Sequence, residues 1–475
     1  METSYNDSVN EPLAVNTKPR MKTMRDRPVR WLILILTCFF VISRYYNFDV
    51  PQGIQKALQE DLNLSSLQYN LLYTVYSVPN IVWPLFAGAA IDKIGCRLSV
   101  LIFGSFVLLG QSLFAVGCFI GNFPLLLAGR VVLGIGGEAI VTIKIPIIAR
   151  WFRPHQQGLA TGTVFAACRL GSIIQGSLTP LLLEKSGSIG WAGAAGAILS
   201  AISLTSGLIW IVIDKRAEQE DIRNGLPRES EINLASLRDS GAANIEPSKL
   251  KSISLLLVVM ALNAGLICGT VYTFLGNGNK YLQERAGLSP ESAGQYISIL
   301  YIVSMFFSLG IGKLVDIVGM RAHGVTLASL ITLLSFITFL VLPDCDGCWS
   351  YLYPMIALGV VIGMWSSCLF PAVALVSKPQ LIGTSMGFVN IVINIFQAGY
   401  PLLSGSVQSS EQDREKGYYW PVIVYAVGAL GAVIAGLLMT IFDKKKLLNT
   451  KKIAKKLPSI KITSDYKFDP NSPSQ

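Results

Sequence analysis

About twelve apolar runs of roughly 20 residues organise this chain and leave little choice of architecture. Six fall at about 31–48, 68–91, 98–120, 123–149, 157–182 and 190–213. Six more fall at about 252–277, 293–314, 324–342, 351–376, 381–404 and 420–442. A helix of that length spans a hydrocarbon core of ~30 Å, and its backbone groups are satisfied within the segment. The fold class expected is an all-α polytopic membrane protein, with about twelve transmembrane helices in two pseudo-symmetric six-helix bundles.

Composition agrees: 52% of the 475 residues are hydrophobic and 14% charged, against about 25% charged in globular proteins. A net charge of +10 would point to nucleic acid in a soluble protein. Here it is expected to come from cytosolic flanks, where positive residues accumulate, so no nucleic-acid partner is inferred. Lys18 to Arg30, Lys93 with Arg97, Arg150 with Arg153, Lys215 with Arg216, Lys313 with Arg321, and Lys444 to Lys446 all fall on one side. Residues 1–30 are read as a cytosolic tail, 31–213 as the first bundle and 214–251 as a cytosolic linker. The second bundle is 252–442 and the second cytosolic tail 443–475. Asn63-Leu64-Ser65 is a glycosylation sequon in the first non-cytosolic loop, close to the membrane, and both the modified and unmodified readings stand. Cys345 and Cys348 fall in another such loop, as a local disulfide or two free thiols.

The two sets of six repeat one another. Gly88-Ala-Ala-Ile-Asp92-Lys-Ile-Gly95-Cys-Arg97 joins the second run to the third, and Gly312-Lys-Leu-Val-Asp316-Ile-Val-Gly319-Met-Arg321 joins the eighth to the ninth. Both read G-x3-D-x2-G-x-R. Gly158-x3-Gly162 pairs with Gly383-x3-Gly387 at nearly the same offset. Parallel repeats of this kind relate two bundles by an axis along the membrane normal, with a substrate site between them near the midplane.

That repeated loop, with 6+6 spans and a polar linker, resembles the major facilitator superfamily. A closer resemblance, to its branch of lysosomal dipeptide carriers, runs through Phe48-Asp49-Val50-Pro51, Leu71-Leu72-Tyr73 and Tyr76-Ser77-Val78-Pro79-Asn80. It continues through Gly134-Ile-Gly-Gly-Glu138, Arg169-Leu-Gly-Ser172, Phe370-Pro371, Gly383-Thr384 and Gly387-Phe388. It fails in the tails and the linker. The resemblance implies a transporter rather than an enzyme, and an alternating-access carrier of dipeptides working by facilitated diffusion from the lysosome. The plasma membrane is the other compartment kept open. It also implies that Glu138 and Arg169 hold the two termini of the substrate. Only the resemblance implies an accessory partner, a single-span subunit with a glycosylated lumenal domain. The chain departs from the branch at Arg44 and Lys144, where small or polar residues are usual, and at Phe370, where tryptophan is common.

Residue chemistry points to the same pair. A full charge at mid-membrane costs ~3 kcal/mol on insertion scales and ~10 or more in simulations, so it is a functional candidate by default. Glu138 lies twelve residues before Arg150 and Arg169 twelve after Gln157, which puts both ~18 Å from the cytosolic ends. An extended dipeptide spans ~7 Å between its charged ends, and a carboxylate facing a guanidinium fork complements it. The competing reading is an ion pair between Glu138 and Arg169 that only stabilises packing. Against it, the repeat places Asn394, without charge, where the first half has Arg169. Arg44 lies ~21 Å deep by the same rise and is expected to pair with Asp49 or Glu138, or to receive an extra acidic group. The last option keeps an organic-anion or amino-acid carrier, with or without proton coupling, as the alternative. Lys144 is expected to snorkel outward or face the cytosolic vestibule.

Tyr45, Tyr73, Tyr76, Trp365 and Phe370 are candidate cavity aromatics. Asp92, Arg97, Asp316 and Arg321 are expected to latch the cytosolic side while the other side is open. The only histidines, His155 and His323, fall in predicted cytosolic loops, which removes a buried histidine relay. No cofactor and no metal is expected, because no phosphate loop, nucleophile–base arrangement or metal-ligand spacing occurs. Asp443 to Leu448, DKKKLL, fits an acidic dileucine sorting pattern but abuts the last span.

Overall fold

The computed structural model describes residues 23–152, 154–224, 254–377, 382–410, 418–443 and Leu448. The first half comprises α1 (Val29–Gly53), α2 (Gln55–Asp61), α3 (Ser66–Ser77), α4 (Trp83–Ile94), α5 (Cys96–Ile120), α6 (Phe123–Trp151), α7 (Pro154–Ser186) and α8 (Ile189–Arg223). The second comprises α9 (Leu255–Ala286), α10 (Pro290–Val318), α11 (Arg321–Val341), α12 (Leu352–Val376), α13 (Ile382–Ser410) and α14 (Tyr419–Phe442). Among the described residues, nine helices are individually long and apolar enough to cross a membrane. Helices α7 and α10, at 33 and 29 residues, have the length to do the same. The remaining span is split between α3 and α4. It breaks at Pro79, which has no N–H to donate and starts a 3-10 turn, Pro79–Ile81.

Local signals set the ends. Ser65 and Gln68 close a reciprocal capping box on α3. Asn122, Ser188, Ser254 and Ser289 each accept a first-turn N–H. Gly287 and Gly319 end α9 and α10 in the left-handed region, at φ 59° and 75°. Helix α8 runs ten residues past the expected span, through Asp214–Arg223, so the start of the expected linker is helical. Cys345 and Cys348 are joined as a disulfide. The tail 1–22, residues 225–253, Arg153 and Lys444–Leu447 lie outside the described residues. Leu448 is described and fully buried: its N–H donates to Asp443 and its carbonyl accepts from the Arg321 N–H.

Within the first half α5 packs on α6 and α8, and α1 on α7; in the second, α10 packs on α12 and α9 on α13. The halves meet along α7–α10 and α3–α13, two contacts that the internal repeat exchanges. At the first, backbones touch. A Cβ at Gly176 would stand 2.8 Å from the Gly294 carbonyl oxygen, and one at Gly294 would overlap the Gly176 carbonyl oxygen. Ser298 there donates to the Ile173 carbonyl at 3.1 Å. Gly294→Leu is expected to pry this contact open and raise labelling of single cysteines near Asn63 several-fold. Unchanged labelling would show that the crossing does not hold that end shut.

Near Asn63 a seam of hydrogen bonds joins the halves. Tyr69 donates to the Gly276 carbonyl at 2.6 Å and Thr74 to the Ala398 carbonyl at 2.9 Å. Asn277 donates to Asn70 at 2.9 Å and accepts from Gln55 at 2.8 Å. In membranes such bonds average ~0.6 kcal/mol and reach ~1.7, so this seam can hold yet still separate.

At the basic end the described ion pairs stay inside the first half. The fully buried Asp214 of α8 receives Arg97 at 2.8 Å, Arg25 at 3.2 Å, Arg150 at 3.5 Å and the Trp151 indole N–H at 2.9 Å. Arg97 also reaches Glu218 at 2.6 Å, and Arg25 reaches Asp221 at 2.7 Å. Asp214→Ala would leave three guanidinium groups facing one another, a loss of about 3–5 kcal/mol for a buried ion network. A fall of several degrees in the melting temperature is the expected result, measured on detergent-solubilised protein. An unchanged melting point would assign the network no structural weight.

Candidate substrate-binding site

Two charged positions stand midway along adjacent helices. Glu138 on α6 pairs with Arg44 of α1, whose Nη2 donates to Oε1, and the Tyr76 hydroxyl lies 3.4 Å from that oxygen. The Arg44 guanidinium sits 4.5 Å from the Tyr45 ring centre, 5.3 Å from Phe48 and 5.7 Å from Tyr76. Both partners keep some exposure, 12% for the Arg44 side chain and 21% for Glu138. Glycines make the room. A Cβ at Gly137 would stand 3.0 Å from Arg44 Cγ and 2.9 Å from the Tyr76 hydroxyl.

Arg169 on α7 has a different neighbour. Its Nη1 lies 3.5 Å from the Tyr272 hydroxyl of α9, across the interface between halves. Its described partner is therefore neutral, whereas Glu138 spends its charge on Arg44. The ion pair between Glu138 and Arg169 that the sequence left open is replaced by this arrangement. Tyr45 places its ring against the Arg44 guanidinium. Asp49, buried on α1, faces the Ser172 and Tyr301 hydroxyls.

The other expected residues are distributed more widely. Tyr73 is buried between Phe48 and Tyr69, with ring centres 5.8 and 5.9 Å away. Trp365 donates to Asn263 at 3.0 Å and meets Phe370 edge-on at 5.7 Å, inside the second half. Asn394 turns its amide back to the Asn390 carbonyl at 2.9 Å. Lys144 does not snorkel. It is 2% exposed, with its ammonium 4.1 Å from the Phe165 ring centre and 3.8 Å from Cys168 Sγ. The side chains of Asp92, Asp316 and His155 lie outside the described residues.

Sequence reasoning passed over Arg130, fully buried eight residues before Glu138 on α6. It donates to the Asn47, Phe48 and Leu72 carbonyls at 3.0, 3.2 and 3.1 Å. Pro51 inside α1 has no N–H to give Asn47, four residues earlier, so Arg130 caps the carbonyl that Pro51 orphans. A charge in an apolar run beside a proline-containing span was the available signal. A concavity of about 450 Å³ at the Asn63 end, lined by Gly53, Lys56, Glu60, Gln283 and Pro290 among others, is separate from these charges.

The model of the Major Facilitator Superfamily matches residues 34–401. The chain belongs to the major facilitator superfamily. It is a multi-pass membrane transporter, not an enzyme. It is 29% identical over 427 residues to the lysosomal dipeptide transporter MFSD1 of Danio rerio, covering 88% of each chain. To the protein of that name from Homo sapiens it is 27% identical over 444 residues, covering 91% of this chain and 90% of the other. Among solved structures it is similar to the xylose transporter XylE from E. coli, at a TM-score of 0.67 and 13% identity. That match covers 88% of this chain and 98% of the other, and shows the fold.

Proposed function

We propose that this transporter carries dipeptides by alternating access, with Glu138 receiving the substrate ammonium and Arg169 its carboxylate. The observation that carries the proposal is the pair itself: opposite charges midway along α6 and α7, one of them bonded, among the described residues, to a neutral tyrosine. Tyr272 on α9 brings the second half to the Arg169 end, so a substrate bound there would bridge both halves. The names of the relatives support the same substrate class. Flux of a labelled dipeptide into proteoliposomes holding the purified protein tests the reading, and no flux above empty vesicles would overturn it.

We place the protein in the lysosomal membrane with both termini cytosolic, which makes the basic end cytosolic and the Asn63 end lumenal. The conformation described is then closed towards the lumen. Arg97 is engaged by α8 in this conformation, and with Asp92, Asp316 and Arg321 it is assigned to the cytosolic latch of the opposite one. Transport is facilitated diffusion: uptake should follow the substrate gradient and stop at equilibrium. Accumulation driven by an imposed proton gradient would show coupling instead. Arg44 is the observation that favours a second reading, an organic-anion carrier, and competition by dicarboxylic solutes without peptide competition would select it.

A further inference from the structure

We propose that Arg44 selects dipeptides whose N-terminal residue carries an acidic side chain. The inference rests on the dipeptide reading and adds the substrate class. Arg44 is built into the site: Gly137 clears its stem, three aromatic rings surround its guanidinium, and its Nη2 donates to Glu138. Glu138 is therefore already neutralised before substrate arrives. A substrate ammonium must compete with Arg44 for that carboxylate, and a guanidinium released in a low-dielectric site needs another anion.

A neutral dipeptide cannot supply one, because its single carboxylate goes to Arg169. A carboxylate on the N-terminal side chain can, since it lies beside the ammonium that Glu138 receives. Charge balance gives the same answer. Arg44, Glu138 and Arg169 sum to one positive charge; a zwitterionic dipeptide leaves it uncancelled, an acidic one cancels it and a cationic one doubles it. Asp49, which interacts with Arg44 as well as with Arg130, and Arg130 are of opposite sign and do not alter the count, with Arg130 also capped by three carbonyls. Lys144, enclosed by Phe165 and Cys168, raises the excess by one when protonated, which leaves the order of acidic, neutral and cationic substrates unchanged.

The test is initial uptake of Glu-Ala, Ala-Glu, Ala-Ala and Lys-Ala by the full-length protein in proteoliposomes. Glu-Ala is expected to exceed Ala-Ala by ~10-fold or more, equivalent to about 1.4 kcal/mol. Ala-Glu should fall between them and Lys-Ala last. Arg44→Gln should abolish the preference and Arg44→Lys should retain part of it. Equal rates for Glu-Ala and Ala-Ala in the natural protein would overturn the assignment of Arg44 while leaving the dipeptide reading intact. So would a preference that survives in Arg44→Gln. Failure of all four peptides to enter would remove the dipeptide reading and this inference together. The comparison within the natural protein decides the matter even if a variant misfolds.

Discussion

Replacing Arg169 with alanine is expected to reduce dipeptide transport at least 100-fold while lowering the melting temperature by no more than a few degrees. The asymmetry follows from what the side chain touches. Its described bond is a single one to Tyr272 at 3.5 Å, between a guanidinium and a neutral hydroxyl, so little folding energy is lost with it. The substrate loses far more. A carboxylate desolvated at mid-membrane without its partner costs about 3–5 kcal/mol, and each 1.4 kcal/mol is tenfold in affinity. Arg169→Lys should recover part of the activity, because an ammonium keeps the charge and forfeits the two-pronged fork. Initial rates in proteoliposomes and a melting curve on the same preparation separate these effects. A large fall in melting temperature with proportionate loss of transport would assign Arg169 to packing.

Glu138→Gln is expected to abolish transport and also to destabilise the protein by about 3 kcal/mol, since it strands Arg44 as an uncompensated buried charge. The double variant Arg44→Gln with Glu138→Gln distinguishes the two roles of the carboxylate. With both charges gone the stranded guanidinium disappears, so stability should return towards the natural value. Transport should not return, because no carboxylate remains for the ammonium. A double-mutant cycle run on melting temperature and on uptake would therefore show strong coupling in the first and almost none in the second. Recovery of transport in the double variant would contradict a role for Glu138 in binding.

Much of this arrangement is legible in the sequence, for physical reasons. A bilayer forces each span to declare itself as an apolar run, so the twelve-span framework follows from length and hydropathy, whereas the short polar α2 and the break between α3 and α4 do not. The duplicated Gly88–Arg97 and Gly312–Arg321 loops expose the repeat. A mid-span charge is costly enough to stand out, which singled out Glu138, Arg169 and Arg44. Partner choice was legible only in part: Glu138 was one of the partners expected for Arg44, and Tyr272 was not expected for Arg169. Nothing in the spacing of Glu138 and Arg169 says that each side chain turns to a different neighbour, Arg44 on α1 and Tyr272 on α9. That depends on helix rotation, set by contacts such as Gly171, where an added Cβ would meet Tyr45 Cβ at 3.1 Å. Lys144 and Arg130 show the same limit. Depth alone predicts an outward reach for Lys144, whereas Phe165 and Cys168 enclose it. Arg130 becomes intelligible only when the carbonyl freed by Pro51 is seen beside it.

The most direct test is binding and flux with a matched set of ligands. Purified protein is assayed by thermal shift and then by proteoliposome uptake against free amino acids, dipeptides, tripeptides and dicarboxylic solutes. A ligand that binds only the folded state raises its apparent stability in proportion to occupancy, so a class-specific shift identifies the substrate class. Dipeptides with free termini should shift the melting point and enter the vesicles, and the same peptides blocked at either terminus should do neither. Equal shifts from blocked and free dipeptides, or from dicarboxylic solutes alone, would contradict recognition by Glu138 and Arg169.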